Sequence, residues 1–303
     1  MGWTAADIPD LTGRRAIVTG ANSGIGYHTA LELARHGAEV VLACRSAERG
    51  GAALDRIRAE VPGASVTLGS LDLAALESIR AFAAEQEAPL DLLVNNAGVM
   101  ALPRRTTAEG FEMQFGTNHL GHFALTGLLL AALLRGRDPR VVTVTSMAAW
   151  GGHLRFDDLQ GEWRYRRWPA YCQAKLANLL FAKELDRRVG GLTSVAAHPG
   201  YARTNLQQAA PRELESKFRE RAFGVGNALF GQPAAAGALP TLYGATAPRV
   251  RGGETYGPRG LFQQRGLPTR VRTTPRADRP ELARKLWEVS EELTGVSYDA
   301  KTL

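Results

Sequence analysis

The sequence predicts an α/β protein: a doubly wound parallel sheet of about seven strands, helices on both faces, in a single domain over residues 1–303. Three observations predict it. Short β-branched runs alternate with longer segments of helical apolar spacing, the order that yields parallel strands joined by crossover helices. The first such unit turns on glycines, Thr19-Gly20-Ala21-Asn22-Ser23-Gly24-Ile25-Gly26. With 303 residues and 45% hydrophobic content, the chain is long enough to bury one large core.

The elements follow in order. Arg14–Thr19 reads as a strand, and Gly24–His36 as a helix with apolar Ile25, Ala30, Leu33 and Ala34 on one face. The G-x3-G-x-G turn between them lets backbone approach a pyrophosphate at a helix N-terminus. A second strand, Glu39–Ala43, ends at Cys44-Arg45-Ser46. About 20 residues past the glycine turn, an acid would take the ribose 2′-hydroxyl of NAD, whereas an arginine can pair with the 2′-phosphate of NADP. Arg45 with no acid beside it favours NADP(H) over NAD(H), with Arg49 as a second candidate; a surface arginine at a strand end is the competing reading.

A helix over Ala47–Glu60, a strand over Ser65–Ser70 and then Leu71-Asp72-Leu73 come next. Asp72 suits the cap of a helix starting near Ala74, or a contact to adenine, and the two are compatible. After the helix Ala74–Gln86, the strand Asp91–Val94 runs into Asn95-Asn96-Ala97-Gly98, which suits a crevice floor although Asn-Asn is common in turns. Asn118 precedes an apolar helix running to Leu134, where a polar residue breaks or kinks the helix and exposes a carbonyl. His119 and His122 fit helix packing or the surface better than metal binding, since no third ligand has suitable spacing.

The strand Arg140–Thr145 delivers Ser146 to the carboxyl edge, where open parallel sheets bind ligands. Residues 147–169 are rich in aromatic and charged side chains, and suit the wall of a substrate pocket. The helix Trp168–Val189 carries Tyr171 and Lys175, which share one face a turn apart. An ammonium there favours the phenolate and lowers a tyrosine pKa that is ordinarily about 10. The strand Ser194–Ala197 leads to His198-Pro199-Gly200. Residues 201–232 fit a mobile substrate lid or an ordinary insertion. A helix over 233–245 and a last strand near 254–256 complete the sheet, and an amphipathic helix over 279–293 lies in a C-terminal extension, 259–303.

Composition narrows the partners. The formal charge is +7, and with only five lysines, 32 of the 37 basic residues are arginine. They are interspersed with acids and form no basic helix or finger, so nucleic-acid binding is not expected; a preference for phosphorylated or acidic ligands is the remainder. Cys44 and Cys172 support neither a disulfide framework nor a zinc site, and no metal is expected. The longest apolar run, Phe123–Leu134, is about half a bilayer span. With no secretory leader evident, a cytoplasmic protein without a membrane span is expected.

Taken jointly, Thr19-Gly20-x3-Gly24-x-Gly26, Asn95-Asn96-Ala97-Gly98, Asn118, Ser146, Tyr171-x3-Lys175 and Pro199-Gly200 make residues 12–258 resemble the short-chain dehydrogenase/reductase family. Val41-Leu42-Ala43-Cys44-Arg45, Asn95–Met100 and Phe156–Leu159 resemble its retinol dehydrogenase and WW-domain oxidoreductase branch, with no WW domain or anchor read here. The resemblance implies a Rossmann-type fold and an oxidoreductase interconverting a ketone or aldehyde and an alcohol. It makes Tyr171 the general acid in reduction and base in oxidation, and Lys175 its activator and the holder of the nicotinamide ribose. Ser146 would bind the substrate oxygen, and Asn118 would support a proton-relay water through its backbone. Gly20, Asn22, Ser23, Gly24, Ile25 and Gly26 would line the phosphates; Arg45, Asp72, Leu73, Asn95, Ala97 and Gly98 the adenosine side and crevice floor; and Pro199, Gly200 and Thr204 the nicotinamide. Substrate would be a small-molecule carbonyl or alcohol, bulky and apolar from the aromatic segment. The apolar Leu120–Leu134 helix and the Lys175 helix would pack across a two-fold axis in a homodimer or homotetramer, or against the sheet. The rival reading is a non-catalytic NADP-binding sensor on the same fold, which has no chemical need for Ser146, Tyr171 and Lys175 together.

Overall fold

The computed structural model describes residues 2–201 and 232–298. Thr204 lies outside them, as does the 201–232 segment apart from its two end residues. Among the described residues, eight strands form one sheet in the order β3-β2-β1-β4-β5-β6-β7-β8. They are β1 (Arg15–Thr19), β2 (Glu39–Cys44), β3 (Val66–Ser70), β4 (Leu92–Asn95), β5 (Arg140–Val144), β6 (Thr193–Ala197), β7 (Thr255–Pro258) and β8 (Pro268–Arg270). The first seven run parallel, and β8 pairs antiparallel with β7. The eighth strand lies in the C-terminal extension; with three residues it is too short to show an alternating pattern.

Alternation along the strands decides which helices cover which face. Ala16, Val18, Leu42, Val94 and Val142 bury against α1 (Gly24–Arg35), α2 (Ala47–Glu60) and a later helix, Ala234–Thr246. Ile17, Val41, Leu93 and Val141 bury on the opposite face against α3 (Leu76–Ala84) and residues of the Phe123 and Phe181 helices. The order reverses at β1 and β4, which pair through Val18 and Val94. That switch point is where an open α/β sheet leaves a crevice at its carboxyl edge.

The break expected at Asn118 takes the form of a π-helical turn, and the apolar helix predicted beyond it to Leu134 is interrupted once more. After α4 (Met113–Phe115), residues Gly116–Leu120 form a π-helical turn, followed by α5 (Gly121–Leu128) and α6 (Leu130–Leu134), separated at Leu129. A Cβ at Gly121 would run into the carbonyl of Leu73, so the close approach of this segment to the β3–α3 connection requires glycine. Next comes α7 (Arg167–Arg188), which carries the Tyr171 pair; α8 is Ala234–Thr246.

The extension ends in α9 (Pro280–Thr294), opened by Pro280 and closed by Gly295 in the left-handed conformation. It lies over α5 and α7. Trp287, 2% exposed, stacks on Phe181 with centroids 5.9 Å apart and meets Phe123 edge-on at 5.1 Å. Arg188 sits 4.8 Å above the indole, and the Tyr298 hydroxyl donates to the Phe123 carbonyl at 2.6 Å. The apolar face considered for a two-fold contact is therefore covered in part by this chain's own helix. Among the described residues, no helix is long and apolar enough to cross a membrane.

Candidate active site

The crevice floor is built from close approaches that side chains would obstruct. Gly20 and Gly24 adopt φ of 66° and 56°, conformations glycine takes at little cost. A Cβ on Gly26 would lie 2.5 Å from both Asn96 Nδ2 and the Gly20 carbonyl. Asn96 holds the turn by donating to Thr19 O at 2.7 Å. Helix α1 starts here with Ser23 at its N-cap making no side-chain cap bond, which leaves the first-turn N–H groups without a side-chain partner. Glycine backbone beside an uncapped helix start fits a pyrophosphate. Asn22 and Ser23 are half-buried at this turn, whereas Ile25 is buried in the core beneath it.

At the end of β2, Cys44 is buried and Arg45 exposed. Burial pushes the Cys44 thiol up to about 11, against the opposing effect of the Ala21 and Asn22 backbone, so the thiol is neutral. Ser46 caps α2 by accepting from Arg49 N at 3.3 Å. Asp72 does not cap a helix at Ala74: its Oδ1 accepts from Ala74 N at 3.0 Å in a turn, and α3 starts at Leu76. Leu73 is buried. Asn95 is turned away from the crevice floor: it is fully buried, and its Nδ2 donates to Thr126 Oγ1 on α5 at 3.0 Å. Any approach of Asn95 to a nucleotide is therefore through its backbone.

Tyr171 and Lys175 lie one turn apart on α7, 6% and 4% exposed. Lys175 Nζ donates to Val144 O at 3.0 Å, and Asn178 Nδ2 shares that carbonyl at 3.1 Å. Thr145 Oγ1 donates to Lys175 O at 2.7 Å, so α7 is latched to the end of β5, from which Ser146 follows. Asn118 is pinned by two bonds to Val99: its Oδ1 accepts from the amide at 2.7 Å and its Nδ2 donates to the carbonyl at 2.9 Å. A Cβ on Gly98 would lie 3.0 Å from Asn118 Oδ1 and 3.7 Å from Lys175 Nζ, so Asn118, Lys175 and the Ala97-Gly98 turn come together. An ammonium with one protein acceptor retains donors for ribose hydroxyls.

The electrostatics differ from the sequence expectation. Burial pushes the Tyr171 phenol up to about 12, opposed by its hydrogen bond with Ser146. Burial also pulls Lys175 down to about 8. The ammonium is committed to Val144 O and sits 5.9 Å from the phenol ring centre, so desolvation outweighs the lowering that the Y-x3-K spacing suggests. For the carbonyl reduction that the resemblance implies, Tyr171 would have to carry its proton and Lys175 its charge, and Lys175 loses the charge first as pH rises. On that reading kcat/KM for the reduced nucleotide should decline above about pH 8, with Tyr171 still protonated there. A profile flat to pH 10 would refute this assignment.

The pairing of His122 with Thr19, which heads the glycine motif, carried no signal in the sequence. The carbonyl of Asn118 accepts from His122 Nδ1 at 2.9 Å, which fixes Nε2 as the acceptor for Thr19 Oγ1 at 2.9 Å. Thr19 Oγ1 in turn accepts from the amides of Asn96 and Ala97, both at 2.9 Å. One buried chain thus ties the π-turn to the crevice floor. The surface option for the two histidines is corrected: both are buried, with burial pulling His119 to about 3 and His122 to about 4. The Asn118 carbonyl, expected to be exposed, already serves His122. The i, i+4 spacing of Asn118 and His122 was the one available clue.

At the far end, Gly200 has φ of 65°, and a Cβ there would strike the Gln264 carbonyl, which also accepts from Tyr201 N at 3.0 Å. Pro199 O accepts from Gln232 Nε2 at 2.6 Å. The extension therefore borders the Pro199-Gly200 end of the crevice. Of the aromatic segment, Trp168 is 55% exposed and meets Tyr171 edge-on at 6.1 Å. Asp158 gathers the loop by accepting from the amides of Glu162, Trp163 and Arg164.

A family model described as short chain dehydrogenase matches residues 14–215. Human Retinol dehydrogenase 13 is 44% identical over 294 residues, 94% of this chain and 86% of its own length. Human Retinol dehydrogenase 14 is 40% identical over 304 residues, covering 94% and 87%. Among solved structures, an uncharacterised protein from Mycobacterium paratuberculosis is 43% identical, with a TM-score of 0.81 and coverage of 98% and 99%. An NAD(P)-dependent gluconate 5-dehydrogenase from Beutenbergia cavernae, with NADP bound at low occupancy, is 27% identical, with a TM-score of 0.62 and coverage of 78% and 91%.

Proposed function

The chain belongs to the short-chain dehydrogenase family and is an NAD(P)-dependent alcohol/carbonyl oxidoreductase; from that premise we propose that it uses NADP(H) to interconvert a bulky apolar ketone or aldehyde and its alcohol. The observation that carries this reading is the gathering of Ser146, Tyr171 and Lys175 at the carboxyl edge beside the uncapped glycine turn. A nicotinamide nucleotide held at this edge would supply or receive the hydride. Tyr171 gives its proton to the carbonyl oxygen, Ser146 hydrogen-bonds that oxygen, and Lys175 holds the ribose and stabilises the phenolate left behind. Asn118, anchored to Val99, fixes the turn beside Lys175.

The preference for NADP(H) rests on β2, where the residue preceding exposed Arg45 is a neutral thiol rather than a carboxylate. A 2′-phosphate there meets a guanidinium and no repelling acid. Arg45→Asp is expected to weaken NADPH binding by roughly 10- to 100-fold and to improve NADH binding. Equal affinities of the wild type for the two nucleotides would sink the preference. Apolar substrate contacts come from Trp150 and Trp168, and from Leu261 and Phe262, exposed in the extension that borders Gly200. The free thiols of Cys44 and Cys172 accord with a reducing cytoplasm.

Parallel titration with NADPH and NADH, then turnover on a panel of ketones and aldehydes, tests the reading. Nucleotide binding with no turnover on any carbonyl would favour a sensor instead.

A further inference from the structure

A cavity of about 580 Å3 opens between the β4–α4 connection and the start of α7, and the proposed chemistry leaves it unused. Among the described residues, its walls carry Arg104, Arg166 and Arg167 with Pro103, Tyr165 and Trp168, and no acidic side chain. Arg104 is fixed in the wall: Nε donates to Gly161 O at 3.0 Å and one terminal nitrogen to Gln160 O at 3.4 Å. Its remaining terminal nitrogen is left over from those bonds. Among the described residues, none of the three arginines forms an ion pair.

Glu112 and Asp158, which line an adjoining cleft with Arg166, are used elsewhere. Glu112 is buried, accepting from Phe115 N at 2.8 Å and from the Tyr165 hydroxyl at 3.1 Å. Asp158 holds its loop and pairs with Arg155 at 3.2 Å. Three arginines thus line a hollow whose described walls supply no opposite sign, beside two aromatic rings. Planar forks of this kind match the oxygens of a carboxylate or phosphate, often two at a time.

The place of the cavity relates it to the reaction. Arg167 precedes Tyr171 by four residues, about one helical turn or ~6 Å along α7. Trp168, on the cavity wall, touches the edge of the Tyr171 ring. Arg45, the proposed partner of the nucleotide phosphate, is at the end of β2 and takes no part in this cavity.

We propose that the cavity binds an anionic end, carboxylate or phosphate, of the substrate whose carbonyl reacts at Tyr171. The substrate is then an amphipathic oxo or hydroxy compound: reacting carbon at one end, apolar body across Trp168, and anion among the arginines. This inference rests on the carbonyl-reducing activity proposed for the same site.

Three matched substrates test it: a straight-chain oxo acid with its ketone remote from the carboxylate, the methyl ester of that acid, and the oxo alcohol phosphate of the same chain. The wild type should favour the acid, the phosphate or both over the ester by roughly ten-fold or more in kcat/KM, mostly through KM, with the margin shrinking as salt rises. The double variant Arg166→Gln, Arg167→Gln should lose the margin while turning over the ester as before. The better of the two anions identifies the group. An ester used as well as either anion, or a margin that survives the double variant, overturns the proposal.

A second arm needs no turnover. Tryptophan fluorescence titrated with a long-chain carboxylate, its phosphate counterpart and its methyl ester should show tighter binding of an anion in the wild type alone. Equal binding overturns the anion site. Selective anion binding without reduction of any carbonyl would instead sink the proposed activity and leave the cavity's ligand class standing.

Discussion

Tyr171→Phe is expected to lower kcat by roughly 10³-fold while NADPH affinity stays within about two-fold of wild type. The ring would keep its place, because its packing comes from α7 and from the edge contact with Trp168, neither of which involves the hydroxyl. What disappears is the proton donor for the developing alkoxide. Ser146 cannot replace it: its O–H can hydrogen-bond the oxygen, but an aliphatic hydroxyl is a far weaker acid than a phenol. The buried phenol, pushed up to about 12, is a proton reservoir rather than a ready phenolate, so reduction should suffer from the substitution at every pH at which Lys175 is charged. Lys175→Met should behave differently, reducing both nucleotide affinity and kcat and abolishing the fall above about pH 8. Single-turnover absorbance of NADPH separates the two cases. Activity in Tyr171→Phe within ten-fold of wild type would mean that another group donates the proton.

The parts of this site legible in the sequence are those whose geometry is local. The strand–glycine–helix unit, the Tyr171–Lys175 spacing and the Arg45 position all depend on contacts within about one turn or one crossover, and the structure places them as the spacing implies. Long-range consequences were not legible. Thr19 and His122 meet across 103 residues, and nothing in the glycine motif that Thr19 heads points to a histidine on another element. Polar Asn118 marked the first break, at the π-turn, but the second, at Leu129, left no trace because the apolar segment is buried nearly all round, which erases the periodicity that marks helix boundaries. Local spacing also gave the wrong sign for Tyr171. Proximity to Lys175 can be counted from sequence, whereas the desolvation that outweighs it exists only once α7 is packed on β5. The side chain of Asn95 is a related case: strand alternation alone does not say whether that of the last residue of β4 faces the crevice or α5.

Trp287→Ala should cost about 3–5 kcal/mol of stability, the range for truncating a large buried aromatic. At the entropy of unfolding of a chain this size, that lowers Tm by roughly 6–15 °C. Trp287 fills the notch between α5 and α7, and its loss removes contacts to Phe123, Phe181 and the Arg188 guanidinium together. Neighbouring elements cannot readily collapse into the gap, since Tyr298 is tied to the Phe123 carbonyl and Gly127 already lies against Val296 and Tyr298. The damage should also reach the site. Ser290 on the same helix bonds His119 Nε2 at 2.8 Å, and His119 belongs to the π-turn that presents Asn118. Near its lowered Tm the variant should therefore lose kcat before it loses helical circular dichroism, and saturating NADPH should restore part of the difference by binding only the folded form. Uncovering Phe123 and Phe181 leaves an apolar face that water does not tolerate, so self-association in size-exclusion chromatography should increase relative to wild type. An unchanged Tm, or a wild-type dimer whose crosslinks run through α5 and α7, would show that α9 does not cover this face in solution.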